Sequence, residues 1–128
     1  MFYEELKYDE NGLVCGVFQD YKTGEVLTVA WLNKEAVQKM WDEKRGCVFR
    51  RSKGRVMIKG ETSGNIQIVH ELFTDCDKDA LVIKIEQVGE AACHKGYRSC
   101  FFEKIGDDGV LQAQGEPLFD PKVVYGNK

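Results

Sequence analysis

The stretch IQIVHELFTDCDKDALVIKIEQV, residues 66–88, places two apolar, β-rich runs on either side of a short polar segment. In the second run Leu81, Ile83 and Ile85 alternate with Val82, Lys84 and Glu86, the period-two pattern of a strand with one apolar face. The first run carries His70 in alternation with Ile66 and Ile68, and this histidine is assigned a structural role. The segment TDCDKD joins the two strands.

Working outward, LVCGVFQ (13–19) and VLTVAWL (26–32) are two further strands, separated by DYKTGE, whose Asp and Gly suit a turn. Asn33 then offers a helix N-cap, Glu35 a favourable first-turn charge, and Gly46 a stop, which predicts one helix over 34–45. Val37, Met40 and Trp41 follow at helical spacing and are assigned to the core. CVFRR, SKGR and VMIK read as a second hairpin, and CFFEKI as a last strand ending at GDDG. About seven strands and one clear helix in hairpin-linked order predict an α+β fold, a compact and mainly antiparallel β-sheet unit. The domain is expected to span 1–112, with 113–128, which holds both prolines, as a C-terminal tail.

With 128 residues and 43% hydrophobic content the chain suffices for one packed core. A net charge of −3 on residues of both signs gives no basic field for nucleic acid or for a membrane surface. There is no signal-like leader and no apolar run near the length of a membrane span, so a cytoplasmic protein acting on small molecules is expected. Five cysteines in a reducing compartment point to metal or catalysis rather than to disulfides.

Three loops carry candidate chemistry. Asp75, Asp77 and Asp79 crowd three carboxylates into one loop, where they repel one another unless a cation such as Mg²⁺ or Ca²⁺ neutralises them; a solvated turn is the plain alternative. In a partly extended segment, alternation would point the three aspartates one way and Cys76 the other. GEAACHKGYRSC, residues 89–100, adds Cys93 and Cys100, whose spacing is not that of an ordinary structural zinc finger. Cys76 as a third thiol would complete three protein ligands and an open position, the form of a catalytic zinc site. Cys15 and Cys47 sit in apolar strand runs and are assigned to the core. His94 is placed to act as general acid and base near neutral pH, or is a solvated loop histidine. The third loop, KGETSGN (59–65), offers glycines, hydroxyls and Lys59, groups suited to phosphate oxygens, although a polar hairpin loop has the same composition.

Together, KGETSGN, DCDKDAL and CHKGYRSCFF, in this order and at these separations, resemble the phosphoribosyl-AMP cyclohydrolase family, histidine-biosynthesis enzymes that open the adenine ring of N1-(5-phosphoribosyl)-AMP. The similarity runs from about VLTVAWLNKEAV to CFF. It implies an intertwined homodimer in which Cys93 and Cys100 bind zinc and Cys76 of the partner subunit reaches the same ion. It further implies Asp75, Asp77 and Asp79 as magnesium ligands, with His94 moving the proton toward N1 as the N1–C6 bond breaks. Arg51, Arg98, Lys59, Glu61, Thr62, Ser63 and Gly64 would hold the phosphate-bearing substrate. The chain departs from the family pattern at Arg50, Lys53, Met57 and Lys95, where relatives commonly carry Ser, Arg, Trp and Thr; every implied metal ligand is kept. Two rival readings stay open: a related cyclohydrolase acting on another modified purine nucleotide, and a structural zinc-bound dimer module without catalysis.

Overall fold

The computed structural model describes residues 1–60, 64–89 and 97–115. A short helix α1 (Phe2–Glu5) precedes strands β1 (Leu13–Asp20) and β2 (Val26–Asn33), helix α2 (Lys34–Glu43), the hairpin β3 (Cys47–Arg50) and β4 (Arg55–Ile58), strands β5 (Gln67–Thr74) and β6 (Ala80–Gln87), and a small pair β7 (Glu103–Ile105) and β8 (Leu111–Ala113). The main sheet has four strands in the order β2-β1-β6-β5; β3 with β4 and β7 with β8 form two-stranded sheets.

The α+β class agrees with expectation, and among the described residues all strand pairings but one are antiparallel. The exception is β1 against β6, which run parallel with Cys15 beside Ala80 and Asp20 beside Ile85. No hairpin can make such a pair, and the connection between them consists of β2, α2, the β3–β4 hairpin and β5.

One face of the sheet is covered. Val14 and Phe18 from β1, Leu32 from β2, and Leu81, Ile83 and Ile85 from β6 pack with Val37 and Met40 of α2 and with Cys47 and Val48 of β3. Phe18, Ile83, Ile85 and Met40 are fully buried, each side chain stabilising the fold by about 1.5–3 kcal/mol. Gly16 lies where a Cβ would meet Leu32 Cδ1 at 2.7 Å and Ile83 Cδ1 at 3.2 Å, so the side chains of the two flanking strands fill the space above it on the core face. The alternation read in residues 81–86 is therefore correct, with its odd-numbered members inside.

The opposite face stays open. Cys15 stands opposite Trp31 and Val17 opposite Val29, while Val82 pairs with Val17 on one side and Phe73 on the other. Val29, Trp31 and Phe73 are 45%, 38% and 49% exposed, a large apolar surface for one side of a sheet.

Several expectations need correction. Trp41 is exposed rather than in the core, packing edge-on against Phe2 and lying under the Lys44 ammonium at 3.5 Å. Cys47 is buried as expected, but Cys15 is only partly covered because its position in the pleat points it to the open face. The strand expected over CFFEKI is β7, which begins at Glu103 rather than Cys100, and β8 adds an eighth strand among the described residues that crosses the expected boundary at 112. Residues 116–128 of the expected tail lie outside the described residues. His70 occupies a bulge between Val69 and Glu71, where the register slips, and stacks on Tyr21 at 3.9 Å with Nε2 3.2 Å from Glu86 Oε1.

Candidate active site

The β5–β6 connection is a tight turn rather than an extended segment, which corrects the expected alternation of side chains across it. Asp75 N–H donates to Ala80 O, Lys78 adopts φ +59, and the amides of Asp79 and Ala80 donate to Asp75 Oδ1 at 3.1 and 3.3 Å. The turn, not strand alternation, gathers the carboxylates: oxygens of Asp75, Asp77 and Asp79 all lie within 4.8 Å of one another, exposed to solvent. Desolvation is the largest single influence on Asp75 and pushes its carboxyl up, but the bonds from the Asp79 side chain and from the Asp79 and Ala80 amides together outweigh it and hold the carboxyl below its ordinary value. Asp79 moves the other way, pushed up by its hydrogen bond to Asp75 and then by the Asp75 charge. Three hard oxygen donors at this separation fit a magnesium-sized cation that keeps part of its water shell.

Beside the turn, Lys7, Cys15, Trp31 and Asp79 help to line a cleft of about 430 Å³. Burial, and then the Asp79 charge, raise the Cys15 thiol above its ordinary value, which disfavours the thiolate a metal would need. Cys76 is exposed in the same turn.

The other two loops depart from the far end of the sheet. Leu13 stands opposite Asn33 and Cys15 beside Ala80, so residues 75–79 lie where β1 begins and β2 finishes. Gln67 pairs with Gln87 at the opposite end, where β1 reaches Asp20 and β2 starts at Val26. Lys59 and Gly64 frame the GETSGN loop at that end: Lys59 N–H donates to Gly46 O, and Gly64, with φ +79, donates to Gly60 O, both at 2.8 Å. Glu61, Thr62 and Ser63 lie outside the described residues, as do Cys93 and His94.

Cys100 is held at the same far end, its N–H donating to Leu27 O at 2.7 Å, with Ser99 Oγ donating to Val26 O at 2.8 Å. Arg98 fixes this segment further, through Nη2 to Asp20 Oδ2 and Nε to Glu25 Oε1, each 2.6 Å. Its guanidinium is thus engaged by two carboxylates of the β1–β2 turn, anchoring the segment that carries Cys100. Sequence reasoning missed Asp20 and Glu25 as the partners; the Asp of DYKTGE was visible only as a turn former. Arg51 is exposed, with its guanidinium carbon 5.4 Å from the centre of the Trp31 ring.

At about 3.3 Å per residue along a strand and 4.8 Å between strands, Cys76 and Cys100 of one chain are on the order of 15–20 Å apart. Two sulfurs on one zinc lie within about 4 Å of each other. The fold therefore brings the three aspartates together and keeps the two described candidate zinc thiols of a single chain apart.

Comparison with known proteins places these loops in one context. The family model for phosphoribosyl-AMP cyclohydrolase matches residues 28–102, from β2 through the end of the cysteine loop. The chain is 44% identical over 127 residues to the phosphoribosyl-AMP cyclohydrolase of Chlorobium limicola, covering 99% of this chain and 92% of that protein. It is 44% identical over 126 residues to that of Desulfotalea psychrophila, covering 97% and 98%, and 42% identical over 127 residues to that of Chlorobium phaeovibrioides. A match of this length and identity, taking in all three chemistry-bearing loops, shows that the chain belongs to the phosphoribosyl-AMP cyclohydrolase family.

Proposed function

We propose that the chain is a zinc-dependent phosphoribosyl-AMP cyclohydrolase that opens the adenine ring of N1-(5-phosphoribosyl)-AMP by hydrolysis. The observation that carries this reading is the family match over residues 28–102, which includes GETSG, the aspartate turn and both cysteines of the third loop. In the reaction the oxygen of water bonds to C6, the N1–C6 bond breaks, and a proton arrives at N1 to leave an aminoimidazole carboxamide. His94 carries that proton. Lys59 and Arg51, with the amides and hydroxyls that the GETSGN sequence supplies, hold the phosphates, and Arg98 keeps the Cys100 segment in place through Asp20 and Glu25.

Cys93 and Cys100 of one subunit and Cys76 of its partner would hold zinc, which supplies the Lewis acidity that makes water reactive near neutral pH. What supports a shared site is the distance along the sheet: Cys76 and Cys100 of one chain sit at opposite ends, so a second copy must bring its turn to the first copy's cysteine loop. The open apolar face with Val29, Trp31 and Phe73, continuous with the Cys76 turn, supports homodimerisation through that surface. Asp75, Asp77 and Asp79 would hold magnesium. Histidine biosynthesis in the cytoplasm follows as the setting of this reaction.

The test is turnover of phosphoribosyl-AMP, followed by the absorbance of the opened product, with zinc-loaded protein, with and without Mg²⁺. Wild-type protein is expected to turn over and Cys93→Ala to fall to background. Absence of turnover by dimeric, metal-replete protein would overturn the reading and favour a different purine nucleotide or a structural zinc.

A further inference from the structure

A buried amide pair joins the roots of the two far-end loops. Gln67 opens β5 two residues after Asn65, Gln87 closes β6 two residues before Gly89, and the two residues pair directly across the antiparallel ladder. Gln67 is fully buried and Gln87 is 6% exposed. Gln87 Nε2 faces three backbone carbonyls, those of Asn65 at 2.7 Å, Ile66 at 3.3 Å and Val88 at 3.4 Å. Only the amide nitrogen can sit among three acceptors, so Gln87 Oε1 must turn toward Gln67, whose Nε2 donates to it at 2.9 Å. That orientation leaves Gln67 Oε1 buried without a hydrogen-bond partner among the described residues.

The unmet Gln67 Oε1 offsets part of what the pair contributes to stability. The effect of the pair is geometric. The pair clamps the carbonyls of Asn65 and Ile66, at the exit of the GETSGN loop, to the strand end that runs into the cysteine loop. Val88 N–H repeats the link on the backbone, donating to Ile66 O at 2.9 Å. The seam tolerates no side chain: Gly89 has φ +82, and a Cβ there would collide with the Asn65 side chain.

We infer that Gln67 and Gln87 are positioning residues that fix Asn65 and Ile66, at the exit of the phosphate-binding loop, against Val88 and Gly89, at the root of the cysteine loop. This rests on the loop assignments given under the proposed function. The decisive variant is Gln67→Met with Gln87→Met. It is expected to fold with a modest loss of thermal stability, since the Asn65 carbonyl loses the Gln87 amide, yet to lose about ten- to a hundredfold in kcat/KM, carried mainly by kcat, because small misplacement of reacting groups costs that much. Val69→Ala, a core truncation on the same strand, should lower the melting temperature and leave kcat/KM unchanged. Gln67→Met alone should accelerate amide hydrogen exchange within residues 89–100, far away in sequence.

A folded double variant with wild-type kcat/KM overturns the inference, as does unchanged exchange in residues 89–100 of Gln67→Met. Should the double variant not fold, Gln67→Met decides by the same kinetic and exchange measurements. Should the wild-type chain itself not turn over phosphoribosyl-AMP, the functional reading fails separately, and the exchange experiment alone decides the coupling.

Discussion

Asp20 concentrates several tasks in one carboxylate. Its Oδ1 accepts the amides of Lys22 and Thr23 at 2.8 and 3.0 Å, shaping the β1–β2 turn, while Oδ2 takes the Arg98 guanidinium. Desolvation pushes its pKa up, but the Thr23 and Lys22 amides and then Arg98 outweigh it, so the carboxyl sits below its ordinary value of 3.8. Because the folded pKa is depressed, this contribution is fully present above the unfolded pKa and is lost as pH falls through the folded one. Asp20→Asn keeps an acceptor for the two amides and removes the charge that Arg98 needs. It should cost about 1.5–3 kcal/mol at neutral pH, the range for a hydrogen bond to a charged group. Urea unfolding at neutral pH and near pH 2 measures this: the gap between wild type and variant should close in acid, where Asp20 is protonated. A gap that persists would show that the new amide, rather than the missing charge, does the damage.

Helix α2 shows how a single junction residue ties two elements together. Asn33 ends β2 and caps α2, its Oδ1 accepting the Ala36 amide at 2.8 Å. Replacing it with Ala should lower the unfolding free energy by about 1 kcal/mol, and Asp in its place should recover most of that loss. Equal stability of Asn33→Ala and wild type in equilibrium denaturation would show that packing of Val37 and Met40 alone fixes the helix start. This cap, the alternation of Leu81, Ile83 and Ile85, and the hairpin turns were legible because each is a local pattern with one physical meaning. The helix end was less so: Lys44, with φ 56, takes the left-handed position that Gly46 was expected to mark. The His70 bulge is a register slip in the β5–β6 ladder, and the partial exposure of Cys15 follows from which face of β1 the pleat turns outward; neither is marked by residue type or periodicity in the local sequence. Gln67 and Gln87 show the same limit, since each looks like an ordinary polar strand residue until cross-strand pairing brings them together.

At the scale of the molecule, the parallel pairing of β1 with β6 sets the division of labour between the two ends of the sheet. It sends the 75–79 turn to one end and the GETSGN and cysteine loops to the other. The motifs named candidate residues for the chemistry; their partition between the two ends follows from topology, and the resemblance implied beforehand only that Cys76 would come from the partner subunit. If the proposed zinc site draws Cys76 from the partner, the two ligand sources can be separated genetically. Cys76→Ala and Cys93→Ala should each be inactive alone. A heterodimer of the two would hold one site lacking both thiols and one site with its full set, because each intact thiol comes from the opposite subunit. Random reassortment of equal amounts places half of all subunits in heterodimers, so mixing by co-refolding should restore about a quarter of wild-type activity. A site built within one chain would give no recovery at any mixing ratio. Size-exclusion chromatography of each variant, checked before mixing, would confirm that both still dimerise, leaving the recovered rate as a direct reading of whether the metal site is shared.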